Sequence, residues 1–340
     1  SKTNKVIAVR FNNIFKKRRF IKDYTFSLQD NSQLQIITLN MLAYQRKFFY
    51  IFKRVLLWKI KKIIEDNKID IVHVHFAIDS YLFYELKKKY GIPYFVTVHG
   101  SDIHTYPFEK GFPTQKYIKV LEESENVFFV AKHLLDKARS LGYSGNNAVV
   151  INNGINRSVF YLKDKNFSSR NHIGFIGNLI DVKRANILPD LIKQISNLLP
   201  DMEFLIIGDG DLRGSLEKQV YNYGLSWKVK FTGRIKHEEV PGYLSKMKVL
   251  MLPSRDEGFP CVVKEAYSMG VPVIGTDIPG IREAVMDESV LVGYDNNFVQ
   301  NFAKRTTQVA IEFNGNWHLV ENAMKFSWDE IVRKEMEVYN

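Results

Sequence analysis

Short apolar runs separated by longer amphipathic stretches recur along almost the whole chain, and this alternation limits the fold more than any other feature. Runs at Lys5–Phe11, Leu34–Leu39, Ile69–Phe76, Tyr94–His99, Asn126–Val130 and Ala148–Ile151 read as strands, with helices near 46–66, 79–90, 113–123 and 132–141. The pattern restarts at His172–Ile176, Met202–Ile207, Lys228–Thr232, Val249–Leu252, Pro272–Thr276 and Ser289–Val292. Such alternation predicts parallel sheets with helices on both faces. A chain of 340 residues is long enough for two of them, each burying its own core. Polar residues 157–170, including Lys163-Asp164-Lys165-Asn166, read as the link. The expected organisation is one doubly wound domain over 1–157, a second over 158–320, and a tail over 321–340. Ligands of such sheets bind beyond the carboxyl ends of the strands.

Those strand ends carry the chemistry. After Val249–Leu252, residues 254–280 read SRDEGFPCVVKEAYSMGVPVIGTDIPG. Glu257 lies in a polar, Gly-containing loop, and a helix should begin near Pro260 or Cys261, since Pro is tolerated at a first helical position. Glu265 then falls about a turn inside that helix. Two carboxylates framing free backbone N–H groups suit a polyhydroxylated, phosphorylated ligand: amides for anionic oxygens, carboxylates for hydroxyls. The run Ile173-Gly174-Phe175-Ile176-Gly177-Asn178-Leu179 leads to Lys183-Arg184. There, small residues allow close backbone approach and two cations can neutralise a diphosphate. Gly208, Gly210 and Gly214 only loosely match a dinucleotide fingerprint, because the spacing is one residue too long and Asp209 and Asp211 would repel a pyrophosphate. In the first half, Thr97-Val98-His99-Gly100-Ser101-Asp102 puts His99 and Asp102 at another strand end. His73 and His75 share one face of their strand; one is expected to pack and the other to line a cleft. No third ligand of metal spacing accompanies them, so no zinc site is expected.

The 254–280 stretch closely resembles the signature of retaining, nucleotide-sugar-dependent glycosyltransferases of group 1 (family 4-like), carried on Pro253-Ser254, Glu257-Gly258-Phe259, Glu265-Ala266 and Gly270-Val271-Pro272-Val273. His99-Gly100-Ser101-Asp102, Asn153-Gly154-Ile155-Asn156 with Phe160, Phe231-Thr232-Gly233-Arg234-Ile235 and the tail 324–330 are similar to further family segments. The resemblance implies the GT-B fold, an α/β architecture of two Rossmann-like domains facing a cleft, the tail helix returning to the first. It implies donor binding by Gly177, Asn178, Lys183, Arg184, Gly208, Arg234, Ile235, Glu257, Gly258, Phe259, Pro260, Cys261 and Glu265. His99, Glu257 and Lys183 would carry catalysis, with His99 and Asp102 placing sugar or acceptor. No cofactor or metal is implied. The expected reaction moves a sugar from a nucleoside-diphosphate sugar, UDP-sugar favoured, to a polysaccharide, lipid-linked or wall-polymer acceptor. A non-catalytic partner subunit and a sugar-nucleotide 2-epimerase of the same fold are the alternatives.

The resemblance departs in two places. Asn178 occupies the family's arginine position, and Arg184 is expected to substitute for the lost cation. Residues 1–45 contain no Gly-Gly, the first glycine being Gly91, and the strand near Val6–Val9 looks like the family's second. The family's first strand and Gly-Gly loop are therefore expected to be missing.

Charge is divided unevenly. Residues 1–160 hold 26 Lys and Arg against 13 Asp and Glu, so the whole excess of +11 lies in the first half. Basic and apolar residues interleave over 46–62, which fits docking on an anionic membrane surface or, equally, a core helix with a solvated basic face. No nucleic-acid motif accompanies the charge. The single cysteine, Cys261, excludes an internal disulfide and suits a reducing compartment. No apolar run approaches the length of a membrane span and no signal peptide opens the chain, so a cytoplasmic location, peripheral on the inner membrane face, is expected.

Overall fold

The computed structural model describes residues 6–13, 24–27, 33–41, 46–77, 80–105, 114–162 and 167–339, with side chains from residue 53 onward. The chain forms two compact units, Ser1–Asp70 and Ile71–Asn340. In the first, strands β1 (Val6–Asn13), β2 (Tyr24–Ser27) and β3 (Gln33–Met41) form a sheet of order β1-β3-β2. β1 pairs with β3 in parallel and β2 pairs with β3 antiparallel. The sequence pattern did not anticipate β2, a strand of four residues too short for alternation to register. The helix Arg46–Asp66 buries Leu56, Leu57 and Ile60 and exposes Val55, Trp58, Lys59 and Lys62. Leu56, Leu57 and Ile60 thus form a core face, while the residues left in solvent mix Arg54, Lys59 and Lys62 with Val55, Trp58, Glu65 and Asp66.

The second unit holds two parallel sheets. One has β4 (His73–His75), β5 (Phe95–Val98), β6 (Val127–Phe129) and β7 (Ala148–Val150), side by side in chain order. The other contains β8 (His172–Ile176), β9 (Glu203–Ile207), β10 (Val229–Gly233), β11 (Met247–Leu252), β12 (Val273–Thr276) and β13 (Leu291–Val292). Its order is β10-β9-β8-β11-β12-β13. The central strands are buried on both faces, as Phe204 to Ile207 and Val249 to Leu252 show, because helices cover the sheet above and below. Chain progression runs outward from β8 on one side and from β11 on the other. The sheet therefore reverses between β8 and β11, which opens a crevice beyond their carboxyl ends.

Part of the expected link is core. Arg170 is buried, donates to the carbonyls of Met247 (3.1 Å) and Met269 (2.9 Å), and stacks on Phe167 at 4.5 Å. Its burial lowers the guanidinium pKa to about 10. The last helix, Trp328–Tyr339, packs on the four-stranded sheet, Ile331 clustering with Phe128 and Ile151. Main-chain bonds tie its start to Ile155, whose N–H donates to Phe326 and whose carbonyl accepts from Trp328. Among the described residues no helix is long and apolar enough to cross a membrane.

Candidate active site

Beyond β8 the chain turns through Gly177 and Asn178 to Lys183; beyond β11 it turns through Ser254 to Glu257. These two loops flank the reversal point, and the Arg255 N–H donates to the Val182 carbonyl at 2.8 Å to hold them together. Lys183 Nζ lies 2.6 and 2.7 Å from the two oxygens of Glu257, and Ser254 Oγ donates to Oε1 at 2.7 Å. The Glu257 side chain is 8% exposed and Lys183 25%. Desolvation offsets much of the attraction in a partly buried pair, but truncating either member would strand the other charge. An ammonium has three protons, so Lys183 retains one N–H beyond the two that face Glu257.

The strand end of β5 meets the Glu257 loop backbone to backbone. Gly100 has φ +131°, and a Cβ there would lie 2.9 Å from the Gly258 Cα; a Cβ on Gly258 would lie 1.9 Å from the His99 carbonyl oxygen. Gly280 approaches the Glu257 carbonyl just as closely. Three glycines therefore let two sheets and the following turn close on one point. The His99 carbonyl is thereby packed against the loop that carries Glu257.

The helix Cys261–Ser268 starts here, with Pro260 before it and no side-chain cap on its first turn. Phe259 and Pro260 are buried, Pro260 has no N–H, and Gly258, Cys261 and Val262 are partly exposed. Cys261 is half-buried; burial first, then the Glu265 charge, push its thiol to about 11. Lys264 is buried against Phe326, 4.0 Å from its ring centre, and burial lowers its pKa to about 8. Glu265 is half-buried, and burial raises its pKa while His237 opposes the rise. His237 Nε2 lies 2.9 Å from Glu265 Oε1.

Four expected site residues, Arg184, Asp102, Gly177 and Gly208, have structural duties. Arg184 adopts a left-handed backbone (φ 46°) and its guanidinium is buried on the Pro253 carbonyl (3.3 Å) and Thr276 Oγ1 (3.3 Å), stacked 3.8 Å over Tyr294. It braces the β11 and β12 ends and does not stand beside Lys183 as a second free cation. Asp102 is fully buried and accepts from the amides of Gly100 (2.8 Å), His99 (3.0 Å) and Ala77 (3.0 Å). It organises the β4 and β5 ends from inside and cannot touch a sugar. Gly208 (φ +128°) fits against Gly177, whose carbonyl a Cβ would meet at 1.9 Å, so both serve strand-end packing. Asp209 accepts from the Gly210 amide and from Arg213, which locks the turn rather than leaving it for a phosphate. Asn178 and Arg234 are exposed and Ile235 is partly buried.

The two histidines of β4 differ in their surroundings. His73 packs against Phe128 and Tyr339 and bonds to Thr97 Oγ1 at 2.6 Å; burial lowers its pKa to about 3. His75 is exposed and its Nδ1 lies 3.0 Å from His99 Nε2. The fold thus brings a third histidine alongside the two on β4, which spacing in the chain could not reveal. Burial lowers the pKa of both His75 and His99, so the pair is favoured neutral, one nitrogen donating and the other accepting. Among the described residues no group of three or more His, Cys, Asp or Glu is placed to hold a metal ion.

His237 and Glu283 were missed by sequence reasoning. Glu283 accepts from the amides of Lys132 (2.7 Å) and His133 (2.6 Å) and from His133 Nδ1 (2.8 Å), which fastens the helix Lys132–Ser140 to the six-stranded side. Only the tertiary contact marks either residue, although His237 does follow Arg234-Ile235 closely.

The glycosyl transferases group 1 family matches residues 161–325, and glycosyltransferase family 4 matches residues 24–159. An uncharacterized glycosyltransferase of Methanocaldococcus jannaschii is 30% identical over 98% of this chain and 93% of its own length. The UDP-Gal:alpha-D-GlcNAc-diphosphoundecaprenol alpha-1,3-galactosyltransferase of Escherichia coli is 29% identical over 67% of this chain and 62% of its own. Among solved structures, sucrose-phosphate synthase from Thermosynechococcus elongatus superimposes with TM-score 0.79 at 17% identity, covering 98% of this chain and 88% of that one. Anabaena HepE in complex with UDP-glucose gives 0.68 at 16% identity, covering 89% and 84%. The chain belongs to the group 1 glycosyltransferases. It is a glycosyltransferase with the GT-B architecture of two Rossmann-like domains.

Proposed function

We propose that this protein is a retaining glycosyltransferase that transfers a sugar from a nucleoside-diphosphate sugar, UDP-sugar favoured, to a polysaccharide, lipid-linked or wall-polymer acceptor. The observation that carries the reading is the Lys183–Glu257–Ser254 cluster at the sheet reversal, closed against His99 through Gly100 and Gly258. Glu265 accepts from the ribose hydroxyls and Glu257 from a hydroxyl of the sugar. The diphosphate lies against the remaining Lys183 N–H and the uncapped first turn of Cys261–Ser268. A helix N-terminus contributes typically 0.3–1 kcal/mol to an anion, so the ammonium supplies the larger share of leaving-group stabilisation. Charge from the protein itself lets the reaction proceed without a metal ion.

In the reaction the bond from the sugar anomeric carbon to the diphosphate oxygen breaks, and an acceptor hydroxyl oxygen bonds to that carbon from the same face. The hydroxyl proton passes to the departing diphosphate. His99, held neutral by burial and by His75, positions the sugar and does not attack it. The names and bound ligands of the relatives support the donor class: the E. coli protein is named for UDP-galactose, and HepE was crystallised with UDP-glucose. A thermal-shift screen against UDP-, GDP- and ADP-sugars, followed by donor hydrolysis assays, tests the reading. Stabilisation and hydrolysis with one base are expected. Indifference to all three would sink it.

A further inference from the structure

The loop beyond β10 reaches the helix that carries Glu265. β10 ends at Gly233 (φ +70°), and after Arg234-Ile235-Lys236 a single turn, His237–Glu239, leads into a helix at Val240. The turn is fixed locally: the Lys236 amide donates to Glu239 Oε2 at 2.8 Å, the Glu239 amide to the Lys236 carbonyl at 3.0 Å. The imidazole of His237 rests on the buried ring of Phe160, 4.9 Å between centres, and aims Nε2 at Glu265 Oε1, 2.9 Å away. Among the described residues Oε2 of the same carboxylate has no hydrogen-bond partner, while Ser268 Oγ holds the Glu265 backbone carbonyl at 2.6 Å. Glu265 is 13% exposed and His237 56%.

The geometry points to His237 as a positioning residue for donor binding, one that fixes the Glu265 carboxylate so that its second oxygen is presented to the ribose hydroxyls of the nucleotide. This rests on the reading of Glu265 given above. A lone carboxylate at the mouth of a helix can rotate about its last side-chain torsion and, when half-buried, is pushed toward its neutral acid. Burial does raise the pKa of Glu265, and His237 is what opposes it. An N–H donor on one oxygen removes the rotational freedom and favours the ionised form, leaving an acceptor of defined direction for a hydroxyl. Phe160 fixes the imidazole in turn, and it comes from 151–162, where the chain crosses from one sheet to the other. Two segments far apart in sequence therefore converge on one carboxylate.

The test is a cycle between protein and ligand. UDP, GDP and ADP and their 2′,3′-dideoxy counterparts, which lack both hydroxyls, are titrated calorimetrically into wild type, His237→Ala, His237→Gln and Glu265→Ala. His237 is more than half exposed, so its variants should keep the wild-type melting temperature. Loss of one such hydrogen bond should weaken the ribonucleotide about tenfold in His237→Ala, with little effect on the dideoxynucleotide, and His237→Gln should restore most of it. Equal weakening of ribo- and dideoxynucleotide, or no weakening by His237→Ala where Glu265→Ala does weaken binding, overturns the proposal and leaves the role of Glu265 intact. Unchanged ribonucleotide binding by Glu265→Ala overturns both together.

Discussion

Asp102 and Glu257 lie on opposite sides of one backbone contact, the approach of Gly100 to Gly258, and their environments are opposite. Asp102 spends both oxygens on three backbone amides and is sealed from solvent. Glu257 is held by side chains, Lys183 and Ser254, which could re-form around a ligand. Amide donors are part of the main chain and cannot move without unfolding the strand ends, so a carboxylate on them is scaffold. Side-chain donors rotate, so a carboxylate on them is available for exchange. Partner type, more than residue type or burial, separates structure from function here.

The comparison breaks most readily at Lys183. Lys183→Ala should lower kcat/KM about 10²-fold or more by removing leaving-group charge and stranding Glu257. Steady-state kinetics with the donor found in the screen would show it, and an unchanged rate would place the diphosphate elsewhere. Asp102→Asn should act on folding instead. The amide keeps one acceptor and turns N–H groups toward N–H groups, a cost of about 1–3 kcal/mol that urea unfolding would read. Should that variant bind nucleotide normally once folded, the scaffold role stands. Loss of donor affinity at unchanged stability would make Asp102 a site residue after all.

The smallest effect sharpens the donor side. Because burial and Glu265 hold the Cys261 thiol near 11, its reaction with iodoacetamide at neutral pH should be about 10²-fold slower than that of an ordinary exposed thiol, and should still be rising at alkaline pH. A plateau near the usual cysteine range would show that neither burial nor the neighbouring carboxylates hold the thiol up.

Fold class was legible in the chain because period and composition are local: runs such as Phe204–Ile207 and Val249–Leu252 read as doubly buried strands and are. Glu257, Gly258 and Glu265 were legible because they sit within one short stretch. Arg184 was misread for the opposite reason. Its neighbour Lys183 points toward Glu257, but a left-handed turn at Arg184 sends the next side chain back among Pro253, Thr276 and Tyr294, residues 69 to 110 positions away. Nothing in the adjacent pair Lys-Arg announces that divergence.

The amino-acid order alone determined that the chain builds parallel sheets and places acidic and basic side chains at their carboxyl ends, since hydrophobic period and strand-end position are properties of neighbours. Tertiary structure alone decided which of those charges are already committed. The hydrogen bonds of Arg184 and Glu265, and the Ala77 amide's bond to Asp102, come from distant segments, and satisfying a buried polar group depends on what the fold brings within about 3 Å of it.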